Sequence, residues 1–222
     1  MKTLAKNSGI VYLLIFISGF YANFAILETL VDLNKSEQTT FNIIGNSIQF
    51  KNGLLGFFVM LISDVFLIWS LFKLTESTNK RLSYITSLFR GFHALFFIFG
   101  LAKLVQVYSI TFGAVNTIEL QNTVIYLLKS FDRLWTIGLL FFGIHLLLLG
   151  FLALKSHHIP RLIGCLLVLA ALGYLIDGGA KLYIASYTIY QSYFEGVVIC
   201  TGVIGELSFT IWLLIIGFSK KK

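Results

Sequence analysis

Runs of apolar residues long enough to cross a lipid bilayer take up most of this chain, and they constrain its fold more than any other feature. A spanning helix needs roughly 20 apolar residues at a rise of about 1.5 Å each. Six stretches qualify: about 10–30, 53–75, 83–105, 134–154, 161–182 and 195–218. Only 12% of the 222 residues are charged, against about 25% in a soluble domain. So little polar surface cannot cover a water-soluble fold. The expected architecture is all-α: a polytopic bundle of six transmembrane helices forming one domain over residues 1–222. Lys2 and Lys6 ahead of "IVYLLIFISGF" could pass for a signal peptide. The apolar character continues through "YANFAILETLV" with no clear small-x-small cleavage site, so the segment reads as a retained helix.

Loop charges orient the bundle. With the N-terminus inside, the inner segments hold Lys2, Lys6, Lys73, Lys80, Arg81, Lys155, Arg161 and Lys220 to Lys222, ten of the 17 basic residues. That bias places both termini in the cytoplasm and the protein in the cytoplasmic (inner) membrane. The basic residues are dispersed over loops, so the net charge of +7 implies contact with membrane lipids and no nucleic-acid partner. Trp135 falls at the outer boundary, Trp69 and Trp212 towards the inner one, and Tyr183, Tyr187, Tyr190 and Tyr193 crowd the loop before the sixth helix. Two outer connections are long, residues 31–52 and 116–133. Each contains enough apolar residues to form a short helix lying on the membrane surface. The inner connections, "TESTNKRLS" and "KSHHIPR", are short. Cys165 and Cys200 lie near opposite membrane faces, too far apart for a disulfide, and read as small buried hydrophobes.

A charge at the bilayer centre costs about 2.5–3.5 kcal/mol on insertion scales, so its presence needs a reason. Asp64 is eleven residues past Gly53, His145 ten past Trp135 and Glu206 eleven past Glu195. At 1.5 Å per residue each starts roughly 15–17 Å deep, close to the midplane. His93, approaching from the other side, reaches about the same level, and Arg90 lies one turn below it on the same face. Four helices thus bring Asp64, His93, His145 and Glu206 to one depth, with Arg90 adjacent. These five are the candidates for ligand binding or proton coupling. Four readings stay open. Arg90 could pair with Asp64 or Glu206 in a structural network; the set could couple protons or ions; the histidines and carboxylates could ligate a metal; or Arg90 could snorkel to headgroups. A nearby arginine opposes a bound cation, and no metal-ligand spacing is present, so no metal and no cofactor are expected. Asp177 and Lys181, an i,i+4 pair, read as a local structural salt bridge. No Gly-rich phosphate loop, Cys cluster or Ser nucleophile motif occurs, and no catalytic residue is assigned.

The fourth helix, "WTIGLLFFGIHLLLLGFLALKS", followed by "IPRLIGCLLVLAALGYLID" and "GELSFTIWLL", resembles a family of small bacterial integral membrane proteins catalogued as domain of unknown function 4386. "GIVYLLIFISGFYANF", "SDVFLIW" and "LFRGFHA" fit it too, so the resemblance covers nearly the whole chain. It implies that Asp64, Arg90, His145, Asp177 and Glu206 are characteristic positions, and that His93 is not. It implies a membrane location and no particular chemistry. The leading expectation is a protein that binds or transports a small solute, proton or lipid through the midplane cluster, rather than an enzyme. The alternatives are a membrane-embedded enzyme acting on a lipid or isoprenoid, with His145 and a carboxylate as acid/base pair, and a non-catalytic subunit that assembles with copies of itself or with another membrane protein.

Overall fold

The computed structural model describes residues 2–219, and all of its regular elements are helical. The order is α1 (Lys2–Ala22), which continues into a π-helical turn (Asn23–Glu28), then α2 (Ser36–Gly45), α3 (Ser47–Thr111), α4 (Ile118–Lys155), α5 (Arg161–Tyr183) and α6 (Tyr187–Phe218). Among these residues five helices are long and apolar enough to cross a membrane. Large apolar side chains also stand on the surface: Ile17, Ile62, Leu162 and Ile215 are each more than 60% exposed. A soluble monomer rarely shows extensive apolar patches, because water penalises them; lipid does not. Lys220, Lys221 and Lys222 lie outside the described residues.

The 65-residue α3 is a hairpin rather than a rod. Asn79 alone leaves the helical region, with extended backbone at φ −161° and ψ 103°. Its side-chain oxygen accepts a hydrogen bond from the Leu82 amide at 2.9 Å. That caps the second half, since the first amides of a helix have no partner of their own. Contacts along the two halves pair Phe50 with Tyr108, Phe57 with Phe97, Asp64 with Arg90 and Ser87 with Ile68. One member rises in number as the other falls, so 47–78 and 80–111 run antiparallel. The expected loop "TESTNKRLS" therefore shrinks to one non-helical residue. Its members are mostly good or tolerable helix formers, and polar side chains bond back to their own helices, as Thr75 does to the Leu71 carbonyl.

Two other expectations are corrected. Residues 116–133 form no separate surface helix; from Ile118 they are the first part of α4, which continues to Lys155. No Pro or Gly interrupts 118–137, and Val124, Leu127, Leu128 and Phe131 make a buried stripe at helical spacing. At about 1.5 Å per residue, 38 residues give roughly 57 Å, well beyond a hydrocarbon core of about 30 Å. The tyrosine-rich segment before the sixth helix is likewise helical, since α6 begins at Tyr187. Within 31–52 a short helix, α2, does form. Cys165 and Cys200 are free thiols and exposed, not buried.

The chain divides into two compact units. Among the described residues one takes those up to Leu13, then Asp64–Ala94 and those from Thr136 onward; the other takes Leu14–Ser63 and Leu95–Trp135. The second unit is built round an apolar core that includes Ile26, Ile43, Phe50, Leu104, Val124 and Phe131. Trp135 packs there at 5.0 Å from the Phe97 ring. The first unit holds every candidate residue. Its helices meet closely at glycines: a Cβ on Gly150 of α4 would lie 3.0 Å from the Gly164 carbonyl oxygen of α5, and one on Gly205 of α6 would lie 2.7 Å from the Leu166 carbonyl oxygen. In lipid, where no hydrophobic force drives helices together, such close approach supplies van der Waals contact.

Candidate functional site

Arg90 is the centre of the buried polar group. It is the largest fully enclosed side chain in the described structure, 1% exposed. The second half of α3 carries it inward beside Asp64 on the first half. One terminal nitrogen, Nη2, donates to Asp64 Oδ1 at 2.5 Å. The other, Nη1, donates to the Tyr12 hydroxyl of α1 at 3.1 Å and meets His145 Nε2 of α4 at the same distance. The guanidinium also lies over the Tyr12 and Phe142 rings, 5.3 and 5.5 Å from their centroids. An aromatic face is electron-rich, so these rings favour a cation that has lost its water. Snorkelling has no part in this geometry.

The two histidines are held differently. A backbone carbonyl only accepts, and a guanidinium only donates. His145 Nδ1 lies 2.8 Å from the Thr86 carbonyl oxygen and therefore carries the ring hydrogen. Its Nε2 then accepts from Arg90. His93 Nδ1 lies 3.0 Å from the Gly138 carbonyl oxygen and donates to it. Its Nε2 faces Asp64 Oδ2 at 3.6 Å. That oxygen and Arg90 Nε are buried without a hydrogen-bond partner.

Glu206 of α6 does not pair with Arg90. Its Oε1 accepts from the Tyr174 hydroxyl of α5 at 2.9 Å. It remains within electrostatic reach of both Arg90 and Asp64. Asp64, Arg90, His93 and His145 thus form one connected cluster, with Glu206 beside it on a separate hydrogen bond. His145 and Glu206 make no direct hydrogen bond; each is committed to another partner. Asp177 of α5 accepts a hydrogen bond from the Tyr187 hydroxyl of α6 at 2.7 Å. Among the described residues no group of three or more His, Cys, Asp and Glu is arranged to hold a metal ion.

Tyr12, Tyr174 and Tyr187 are the participants that sequence reasoning missed. A signal existed for the first two. A tyrosine in mid-helix among apolar residues must find a partner for its hydroxyl once buried. Tyr12 sits in "GIVYLLIF" and Tyr174 in "ALGYLID", both well away from the ends of their apolar runs.

An uncharacterized protein of the archaeon Archaeoglobus fulgidus is 31% identical over 169 residues, 74% of this chain and 83% of that protein. No solved structure matches. The family model described as Domain of unknown function (DUF4386) matches residues 8–217, so this chain belongs to that family.

Proposed function

We propose that this protein crosses the cytoplasmic membrane six times, with both termini inside, and moves a proton or small solute by way of the cluster around Arg90. The six spans are α1, the two halves of α3, α4, α5 and α6. The observation that carries the reading is an enclosed ion pair with a spare buried acceptor, Asp64 Oδ2. A cluster whose only task was packing would be expected to satisfy each buried oxygen, because an unmet one costs about 1–3 kcal/mol. Glu206, beside the cluster, adds a second carboxylate at 7% exposure, the least enclosed of the five candidates. Carboxylates and histidines gathered inside a membrane are the usual material of proton and ion pathways.

A second reading has support from the same geometry. Arg90 is largely satisfied by Asp64, Tyr12 and His145, as in a structural lock that holds the helices of an accessory subunit. Reconstitution separates the two. Purified protein in vesicles loaded with a pH-sensitive dye should carry protons under an imposed potential, and Asp64→Asn should abolish the flux. Vesicles no more permeable than protein-free controls would leave the lock reading standing.

A further inference from the structure

We infer that the pair of Arg90 and Asp64 holds one small uncharged molecule, a water, bridging Arg90 Nε and Asp64 Oδ2. The inference rests on the transport reading for its purpose and on two orphaned atoms for its position.

Arg90 Nε and Asp64 Oδ2 are buried without a hydrogen-bond partner. They belong to the two side chains that already meet through Nη2 and Oδ1. The nitrogen only donates, and the carboxylate oxygen only accepts. The two do not meet, although arginine and carboxylate often pair through two parallel bonds. The reason lies in how the guanidinium is held. It is a flat, rigid fork, so fixing two of its nitrogens fixes the third. Nη1 is tied to Tyr12 of α1 and His145 of α4, and Nη2 to Asp64 of α3. The group also lies over the Tyr12 and Phe142 rings. Turning Nε towards Asp64 would break the bonds to Tyr12 and His145. His93 Nε2 stands 3.6 Å from Oδ2, beyond hydrogen-bond length.

Chemistry selects what can bridge the two atoms. A cation would suit Oδ2 and be repelled by Arg90; an anion would suit Nε and be repelled by Asp64. A proton placed on Oδ2 would serve that oxygen and leave Nε unmet. A neutral molecule that accepts with a lone pair and donates a hydrogen serves both. Side-chain exposures of 1% and 4% admit only a very small one, and water is the smallest. Buried waters belong where otherwise unmet polar groups converge, and such a bridge is nearly as good as a direct hydrogen bond. It also keeps Asp64 Oδ2 open to exchange. A fixed side-chain donor would close that oxygen, whereas a water can leave or be replaced. A carrying site needs that property and a structural lock does not.

The test is magnetic resonance of the full chain, labelled in nitrogen and carbon, in lipid vesicles. The other arginines are exposed, and Arg81→Lys, Arg133→Lys and Arg161→Lys leave a single arginine Nε signal. Magnetisation from water should reach that N–H several-fold faster than the amide of Leu67, which is fully buried on the same helix. The Asp64 carboxyl carbon should couple to Nη2 and clearly less to Nε. Uptake at Nε no faster than at Leu67 would overturn the inference. So would equal coupling of the carboxyl carbon to Nε and Nη2, the mark of a direct two-bond pair. Vesicle flux decides the transport reading separately: a bridging water without flux would remove that reading and leave the site, and flux without the water would do the reverse.

Discussion

Replacing Arg90 with Leu is the perturbation that the structure prices most directly. The side chains of Arg90 and Asp64 are 1% and 4% exposed, so Asp64 could not recover water once its partner was gone. One of its oxygens already lacks a donor, and the substitution would strand the other. Breaking a buried pair on one side costs about 3–5 kcal/mol. The Tyr12 hydroxyl and His145 Nε2 would lose their donor as well. For a chain of this length a kcal/mol corresponds to roughly 2–4 °C in melting temperature, so Arg90→Leu should melt about 6–20 °C below the parent in detergent. Adding Asp64→Leu removes the stranded charge, and the double variant should regain at least half of the loss. Adding Glu206→Leu instead should regain clearly less, because Glu206 has its own donor in Tyr174. Melting curves of the parent, three single and two double variants complete the cycle. A harmless Arg90→Leu, or rescue by Glu206→Leu equal to that by Asp64→Leu, would refute the pairing as the source of stability.

Three further outcomes follow from the helix geometry. Gly205→Ala should destabilise by about 1–3 kcal/mol, since its Cβ would sit 2.7 Å from the Leu166 carbonyl oxygen and 2.9 Å from the Ala170 methyl; an unchanged melting temperature would show that α5 and α6 can part without cost. Asn79→Ala should cost about 0.5–2 kcal/mol by uncapping the second half of α3, and Asn79→Asp should not; equal losses in both would point away from the cap. In a variant whose exposed native thiols at Cys165 and Cys200 are replaced by Ser, a cysteine at Asn46 should react with an impermeant reagent added outside intact cells and one at Ser77 should not. The reverse pattern would turn the whole topology over.

The long apolar runs, their helical state and the meeting of Asp64, His93 and His145 around Arg90 could be read from spacing along the chain. Helix rise is a constant, so counting residues from a boundary locates a side chain along its axis. What counting does not supply is rotation about that axis, and rotation chooses partners. Arg90 had two candidate carboxylates, and the packing turned Asp64 towards it and Glu206 towards Tyr174. The same limit hid Tyr12, which reads as one more large residue until it is found against Arg90. It also hid the difference between two histidines that look alike in sequence, since each is defined by a carbonyl, of Gly138 or of Thr86, from a distant part of the chain.

Helix ends were legible only where a strong breaker stood. Pro160 marked the start of α5 at Arg161, whereas 75–83 was read as a loop and 116–133 as a connection with a short surface helix, and both are mostly parts of long helices. Polarity reports the solvent that a residue prefers, and a helix that leaves the hydrocarbon layer keeps its backbone bonds in water as well. The sequence by itself thus determined the all-helical class of fold and the helices apolar enough to cross a membrane, because these depend on residue type and one repeat distance. The tertiary structure decided which charge meets which, which nitrogen carries a hydrogen and where one aspartate oxygen is left over, because those depend on the relative rotation of helices that only packing sets.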